Sequence, residues 1–309
     1  MNVQHHFGDR IVEAVANKGN PVCVGLDPRV ESLPAKLSVD AGASFEARAE
    51  AFRRFCLEII DVVGPLVPVV KPQAAFFEQL GPPGCEALAD VIRHARQAGL
   101  LVIFDGKRND IGSTAAAYAD AYLGEQSPWG ADALTVSPYL GDDSLQPFVD
   151  TAQARGAGVF VLVKTSNPGG GLFQDVEAEG RKLYQRVAAH VETLAGATVG
   201  ERGYGSVGAV VGATYPEQLE ELRAAMPRTW FLVPGFGAQG AGAADTAPAF
   251  DAQGQGAVVN SSRGIIFAYS REPYRDRFAP SDWQAAVEAA ARDMIQQLRA
   301  ETPAGKLPG

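Results

Sequence analysis

No uninterrupted apolar run in the 309-residue chain approaches the roughly 20 residues that span a bilayer. The opening stretch, MNVQHHFGDRIVEAVANKGN, has neither the charged start nor the apolar block of a secretory signal. The expectation is therefore a cytoplasmic protein. Cysteine is scarce: Cys23, Cys56 and Cys85 are far apart and odd in number, which speaks against a disulfide framework and for three small hydrophobes. The four histidines (His5, His6, His94 and His190) lack metal-ligand spacing, so no zinc or iron centre is expected. Basic clusters are missing too, and the net charge of −9 disfavours a nucleic-acid surface, where cationic contacts supply much of the affinity. A small anionic ligand needs only a few local donors and stays open.

What is present is a regular alternation. Eight short apolar, β-branched runs occupy 21–28, 66–73, 100–107, 133–140, 158–166, 206–214, 229–235 and 256–262. Helix-like segments lie between them at 45–63, 85–98, 113–123, 144–155, 176–195 and 216–225. Continuous apolar strands alternating with helices imply a parallel sheet covered by helices. Eight such units imply a closed (β/α)8 TIM barrel in a single domain over residues 1–309. An open doubly wound sheet is the alternative. Pro216 marks a helix start and Gly99 a helix end. Residues 29–44 form a long connection after the first strand, 196–205 a glycine-rich loop before the sixth, and 302–309 is expected to be a disordered tail.

In such a barrel, chemistry sits at the C-terminal ends of the strands. Strand one ends in Asp27, strand two in Lys71, and strand three in Asp105 and Lys107. Ionised groups after apolar runs are costly unless paired or used, and four alternating charges on three consecutive strands point to use. Side chains two apart in a strand share a face, which groups Ile103, Asp105 and Lys107 at Cα spacings of about 6.6 Å. Asp110 lies past the strand, so it either folds back over its own site or reaches a partner subunit. An alternating array of this kind keeps Lys107 protonated, which suits a general acid aimed at a carbanion.

Strands seven and eight run into Pro234-Gly-Phe-Gly-Ala-Gln-Gly240 and Ser261-Ser-Arg-Gly264. The loops after these strands are the usual phosphate site of the fold. Glycines let backbone N–H groups approach phosphate oxygens, Arg263 supplies a charge-assisted pair, and Gln239 a neutral donor. After strand five, Ser166 and Asn167 either read the amide edge of a heterocycle or form a turn before Pro168.

The run Asp105-Gly-Lys107-Arg-Asn-Asp110-Ile111-Gly-Ser-Thr114 resembles the DxKxxDI signature of the orotidine 5′-monophosphate decarboxylase family. The likeness spans nearly the whole chain, from VCVGLDP through VVKPQAAFFEQLG and PGFGAQG to SSRGIIFAY, and is nearest to the longer bacterial branch. It implies conversion of orotidine 5′-monophosphate to uridine 5′-monophosphate and CO2, the last step of de novo UMP biosynthesis, with no metal or cofactor. It also implies roles. Asp27 and Lys71 contact the ribose, Asp105 faces the substrate carboxylate, and Lys107 protonates C6. Asp110 and Thr114 enter the neighbouring site of a homodimer, and Ser166 (or Thr165, if the alignment slips by one) reads the pyrimidine. Gln239 closes over pyrimidine and phosphate, and Arg263 with Gly264 holds the phosphate. Gly112 departs from the proline common at that place. Two rivals remain. One is a magnesium-dependent sugar-phosphate decarboxylase or aldolase of the same suprafamily, in which an acidic residue stands at the Lys71 position. The other is a non-catalytic sensor of a phosphorylated nucleotide.

Overall fold

In a computed structural model, which describes residues 6–40, 42–237 and 242–308, the eight apolar runs form one closed parallel barrel. Its strands are β1 (Val22–Leu26), β2 (Val69–Pro72), β3 (Leu101–Arg108), β4 (Ala133–Val136), β5 (Gly158–Lys164), β6 (Val207–Val211), β7 (Phe231–Val233) and β8 (Ala257–Ser261). Each pairs in parallel with its neighbours in sequence, and β1 closes the ring against β8 through Val22–Val259 and Cys23–Asn260. Sequential right-handed crossovers and strands buried on both faces make this the expected arrangement. No helix among the described residues is long and apolar enough to cross a membrane.

The two ends of the barrel are treated differently. The end where the strands begin is sealed by the helix Phe7–Lys18. Phe7 lies edge-on to Phe160 at 6.0 Å, and a Cβ on Gly158 would sit 2.2 Å from the Phe7 ring. A charged residue at this end is structural: Asp132 receives Arg10 and accepts a hydrogen bond from the Val102 N–H at 2.9 Å. The other end stays open, and the polar strand termini meet there.

Most helix boundaries follow local chemistry. Ser44 caps Phe45–Val63 by accepting from the Ala47 N–H, and Pro82-Pro83 opens Pro82–Gln97. Two expectations fail. Residues 177–182 form a two-stranded hairpin, so the helix expected from 176 begins at Leu183. Glu179 and Gly180 both adopt left-handed backbone (φ 53° and 72°), the geometry of a tight hairpin turn. The tail is not disordered through residue 308. Pro303–Lys306 form a 3-10 turn, Ala304 and Leu307 are buried, and Lys306 Nζ donates to the Ala252 carbonyl at 2.8 Å. Two buried apolar side chains and one lysine hydrogen bond dock it. The long connection after β1 carries 3-10 turns at Val30–Ser32 and Ala35–Leu37, with Leu33 and Leu37 buried.

Candidate active site

A cavity of about 320 Å³ opens where the strands end. Asp27, Lys71, Asp105, Lys107, Ser166 and Arg263 all line it, six of the residues singled out from the sequence. Its centre is Asp105, which is 6% exposed and carries four donors. Lys71 Nζ at 2.5 Å and Gln73 Nε2 at 3.0 Å reach Oδ2, while Lys107 Nζ at 2.7 Å and Thr135 Oγ1 at 3.0 Å reach Oδ1. The two lysines differ sharply. The Lys71 side chain is 6% exposed and that of Lys107 is 47% exposed, so only Lys107 offers its ammonium to the open cavity.

Burial alone would raise the Asp105 pKa, but the charges and hydrogen bonds of Lys71 and Lys107 outweigh it and hold the carboxyl well below the usual range. Burial would likewise lower Lys71, yet the negative charges of Asp105 and Asp27 carry it above the ordinary lysine value. The signs fix a pH dependence of stability. A depressed carboxylate contributes stability that is present above its ordinary value of 3.8 and lost as pH falls toward the folded-state value. A raised lysine contributes stability present below 10.5 and lost as pH rises through its folded-state value. Thermal melts should therefore show wild-type stability falling below pH 3.8, with a shallower fall for Asp105→Asn. Parallel acid limbs for the two proteins would remove the pair from this account.

Asp27, just past β1, has a buried Oδ1 with no hydrogen-bond partner among the described residues. A buried carboxylate oxygen without a partner leaves an acceptor to be satisfied. The turn after β7 and the start of the helix after β8 also line the cavity, through Gly235, Phe236, Ser262 and Arg263. Gly235 and Gly237 after β7 adopt φ of 104° and 74°, and Arg263 begins the short helix Arg263–Ile266 after β8. Gly25 on β1 lets the backbone approach this helix start closely, since a Cβ there would lie 1.9 Å from Ser262 Oγ. Gly264 follows Arg263 but does not line the cavity. Gln239 lies outside the described residues.

Asp110 and Thr114 do not line the cavity either. Asp110 accepts a hydrogen bond from the Ile111 N–H at 2.8 Å, and Ile111 beside it is 55% exposed. Gly112 has φ 52°, a backbone conformation that proline, with its fixed negative φ, does not take. Residues missed by a charge-based reading also face the cavity. They are Gln73, Thr135 and Asn260, all neutral side chains set in apolar strands or directly after them. A polar residue interrupting an apolar run at the open end is the signal that would have found them.

The model of the orotidine 5′-phosphate decarboxylase / HUMPS family matches residues 20–275. The chain belongs to this family. Members of the decarboxylase/HUMPS family resemble it over nearly its full length. The orotidine 5′-phosphate decarboxylase of Rhodopirellula baltica is 58% identical over 298 residues, covering 95% of this chain and 99% of that protein. The one from Caldicellulosiruptor bescii is 38% identical over 306 residues, covering 96% and 98%. The crystal structure of a putative orotidine 5′-phosphate decarboxylase from Streptomyces avermitilis superposes with a TM-score of 0.79 at 39% identity, covering 96% of each chain. The rival reading from the sequence, a magnesium-dependent relative, has an acidic residue at the end of β2. Here Lys71 holds that place, and its ammonium already engages Asp105. A second cation beside these two lysines would meet repulsion rather than ligands.

Proposed function

We propose that this protein decarboxylates orotidine 5′-monophosphate to uridine 5′-monophosphate and CO2, completing de novo UMP synthesis in the cytoplasm, without metal or organic cofactor. The observation that carries the reading is Asp105 held between Lys71 and Lys107 in a cavity that Arg263 and the glycine turn after β7 also line. The ribose hydroxyls go to the open oxygen of Asp27 and to Lys71, and the phosphate goes to Arg263 and the backbone after β7. Ser166 takes the pyrimidine edge. Thr165 is already committed, its hydroxyl donating to Asn167 Oδ1 at 2.6 Å and accepting from Gln174 Nε2 at 2.7 Å.

The chemistry follows from these placements. The bond from C6 to the carboxylate breaks, its electron pair stays on C6, and CO2 departs. The resulting vinylic carbanion has no adjacent carbonyl to delocalise it, so stabilisation must come from a fixed positive charge. Lys107 supplies that charge and then a proton from Nζ to C6. Its half-exposed side chain regains the proton from solvent, and the net reaction consumes one proton. The remote phosphate contributes binding energy that holds the ring against the array.

We infer further that Asp110 and Thr114 complete the neighbouring site of a homodimer. Their position off their own cavity, on an exposed turn, supports this. Purified protein should consume orotidylate, followed by its absorbance, equally with and without EDTA. Loss of activity in EDTA with recovery on adding magnesium would overturn the reading. Binding of uridylate without any CO2 release from orotidylate would point to a sensor. Arg263→Ala should raise KM about 10- to 100-fold, the worth of one charge-assisted hydrogen bond, with a smaller loss in kcat. Steady-state kinetics check this; an unchanged KM would move the phosphate elsewhere.

A further inference from the structure

We propose that Thr135 is a positioning residue for this reaction, clamping the backbone of Lys107 and the carboxylate partner of its ammonium through one hydroxyl. The proposal rests on the decarboxylase reading for its chemistry and on geometry alone for the clamp. Thr135 is the single polar residue of β4 and is 1% exposed. β3 and β4 begin in regular register, Ile103 with Ala133 and Phe104 with Leu134, an offset of 30. Arg108 then pairs with Val136, an offset of 28, so two residues of β3 are accommodated in a bulge around Asp105–Lys107. Bulges re-aim side chains beside active sites.

Within this bulge Lys107 has φ 47°, and it is one of only two non-glycine residues with positive φ among those described. A residue with a Cβ enters that region at a cost, and such strain persists only where its surroundings enforce it. Thr135 does the enforcing. Its Oγ1 accepts the Lys107 N–H at 2.9 Å, and its own proton goes to Asp105 Oδ1 at 3.0 Å. That oxygen is the one Lys107 Nζ engages at 2.7 Å. A single hydroxyl thus fixes both the origin of the lysine side chain and the anchor of its tip. A hydroxyl is the smallest side-chain group that donates and accepts at once. Valine has the same shape and does neither.

Because misplacing a catalytic group by about 1 Å costs on the order of 100-fold, Thr135→Val should lower kcat about 10- to 100-fold. The Kd for uridylate, by equilibrium dialysis, should stay within about 3-fold, since Thr135 is 1% exposed and valine keeps its shape. Thr135→Ser, which keeps the hydroxyl, should retain kcat within about 3-fold of wild type. Amide hydrogen exchange across residues 101–110 should accelerate in Thr135→Val and not in Thr135→Ser. Wild-type kcat in Thr135→Val, or equal damage in Thr135→Ser, overturns the proposal. If wild type itself releases no CO2, the decarboxylase reading fails, and the clamp stands or falls on exchange alone. Thr135→Ala carries the same readouts should the valine variant not fold.

Discussion

Lys107→Ala should lose decarboxylation by about 10⁴-fold or more, because it removes both the charge facing the carbanion and the proton that quenches it. The fold should survive. The Lys107 side chain is 47% exposed and lies at the mouth of the cavity, whereas its neighbour Lys71 is buried against the other oxygen of Asp105. Uridylate should still bind, since the open oxygen of Asp27 and the loops around Arg263 are untouched. The combination is diagnostic: near-normal binding and melting temperature with turnover gone. Lys107→Arg should rescue little. A bulkier planar guanidinium projects from the same constrained backbone and does not give up a proton near neutral pH. A folded Lys107→Ala protein that turns over near the wild-type rate would remove Lys107 from the chemistry altogether. Lys71→Ala should be harmed in a different way. Deleting one partner of a buried pair leaves Asp105 short of a counter-charge, which costs stability as well as rate.

The barrel was legible because burial on both faces writes strands as unbroken apolar runs. The run at 21–28 became Val22–Leu26, and that at 158–166 became Gly158–Lys164. The charged residues at three strand ends were legible for the opposite reason, since ions after apolar runs are too costly to be incidental. Neutral polar residues carry no such penalty. Thr135, Gln73 and Asn260 therefore passed as strand or loop filler, although each faces the cavity. Strand alternation correctly put Asp105 and Lys107 together, but by a simplified route. The bulge and the left-handed Lys107 depend on which residues of β4 lie alongside, and β3 alone does not encode that. The hairpin at 177–182 was readable in principle from Glu-Gly at 179–180, a pair suited to a tight turn. The tail failed for a subtler reason. Ala304 and Leu307 find their cover on residues far away in sequence, and composition does not register such partners.

Mixing two dead proteins should restore life if the active site is shared. With a shared site, Asp110→Ala should be nearly inactive as a homodimer, because Lys107 then loses one of its two carboxylate neighbours and Asp105 alone orients it. In a hybrid with Lys107→Ala, one of the two sites draws Lys107 from one subunit and Asp110 from the other, and so is intact. Random exchange makes half the dimers hybrids, each with one good site of two, so recovery should approach about a quarter of wild-type turnover. If Asp110 instead folds back over its own cavity, every site in every dimer lacks one group and mixing gains nothing. Sharing is the arrangement proposed above; Asp110, tied to the Ile111 N–H beside an exposed isoleucine, does not line the cavity of its own subunit. Differently tagged subunits, with exchange verified by native mass spectrometry before assay, separate the two arrangements. Verified hybrids without activity would place Asp110 in its own subunit's site. Recovery near a quarter would make each barrel, however well packed, half of a working enzyme.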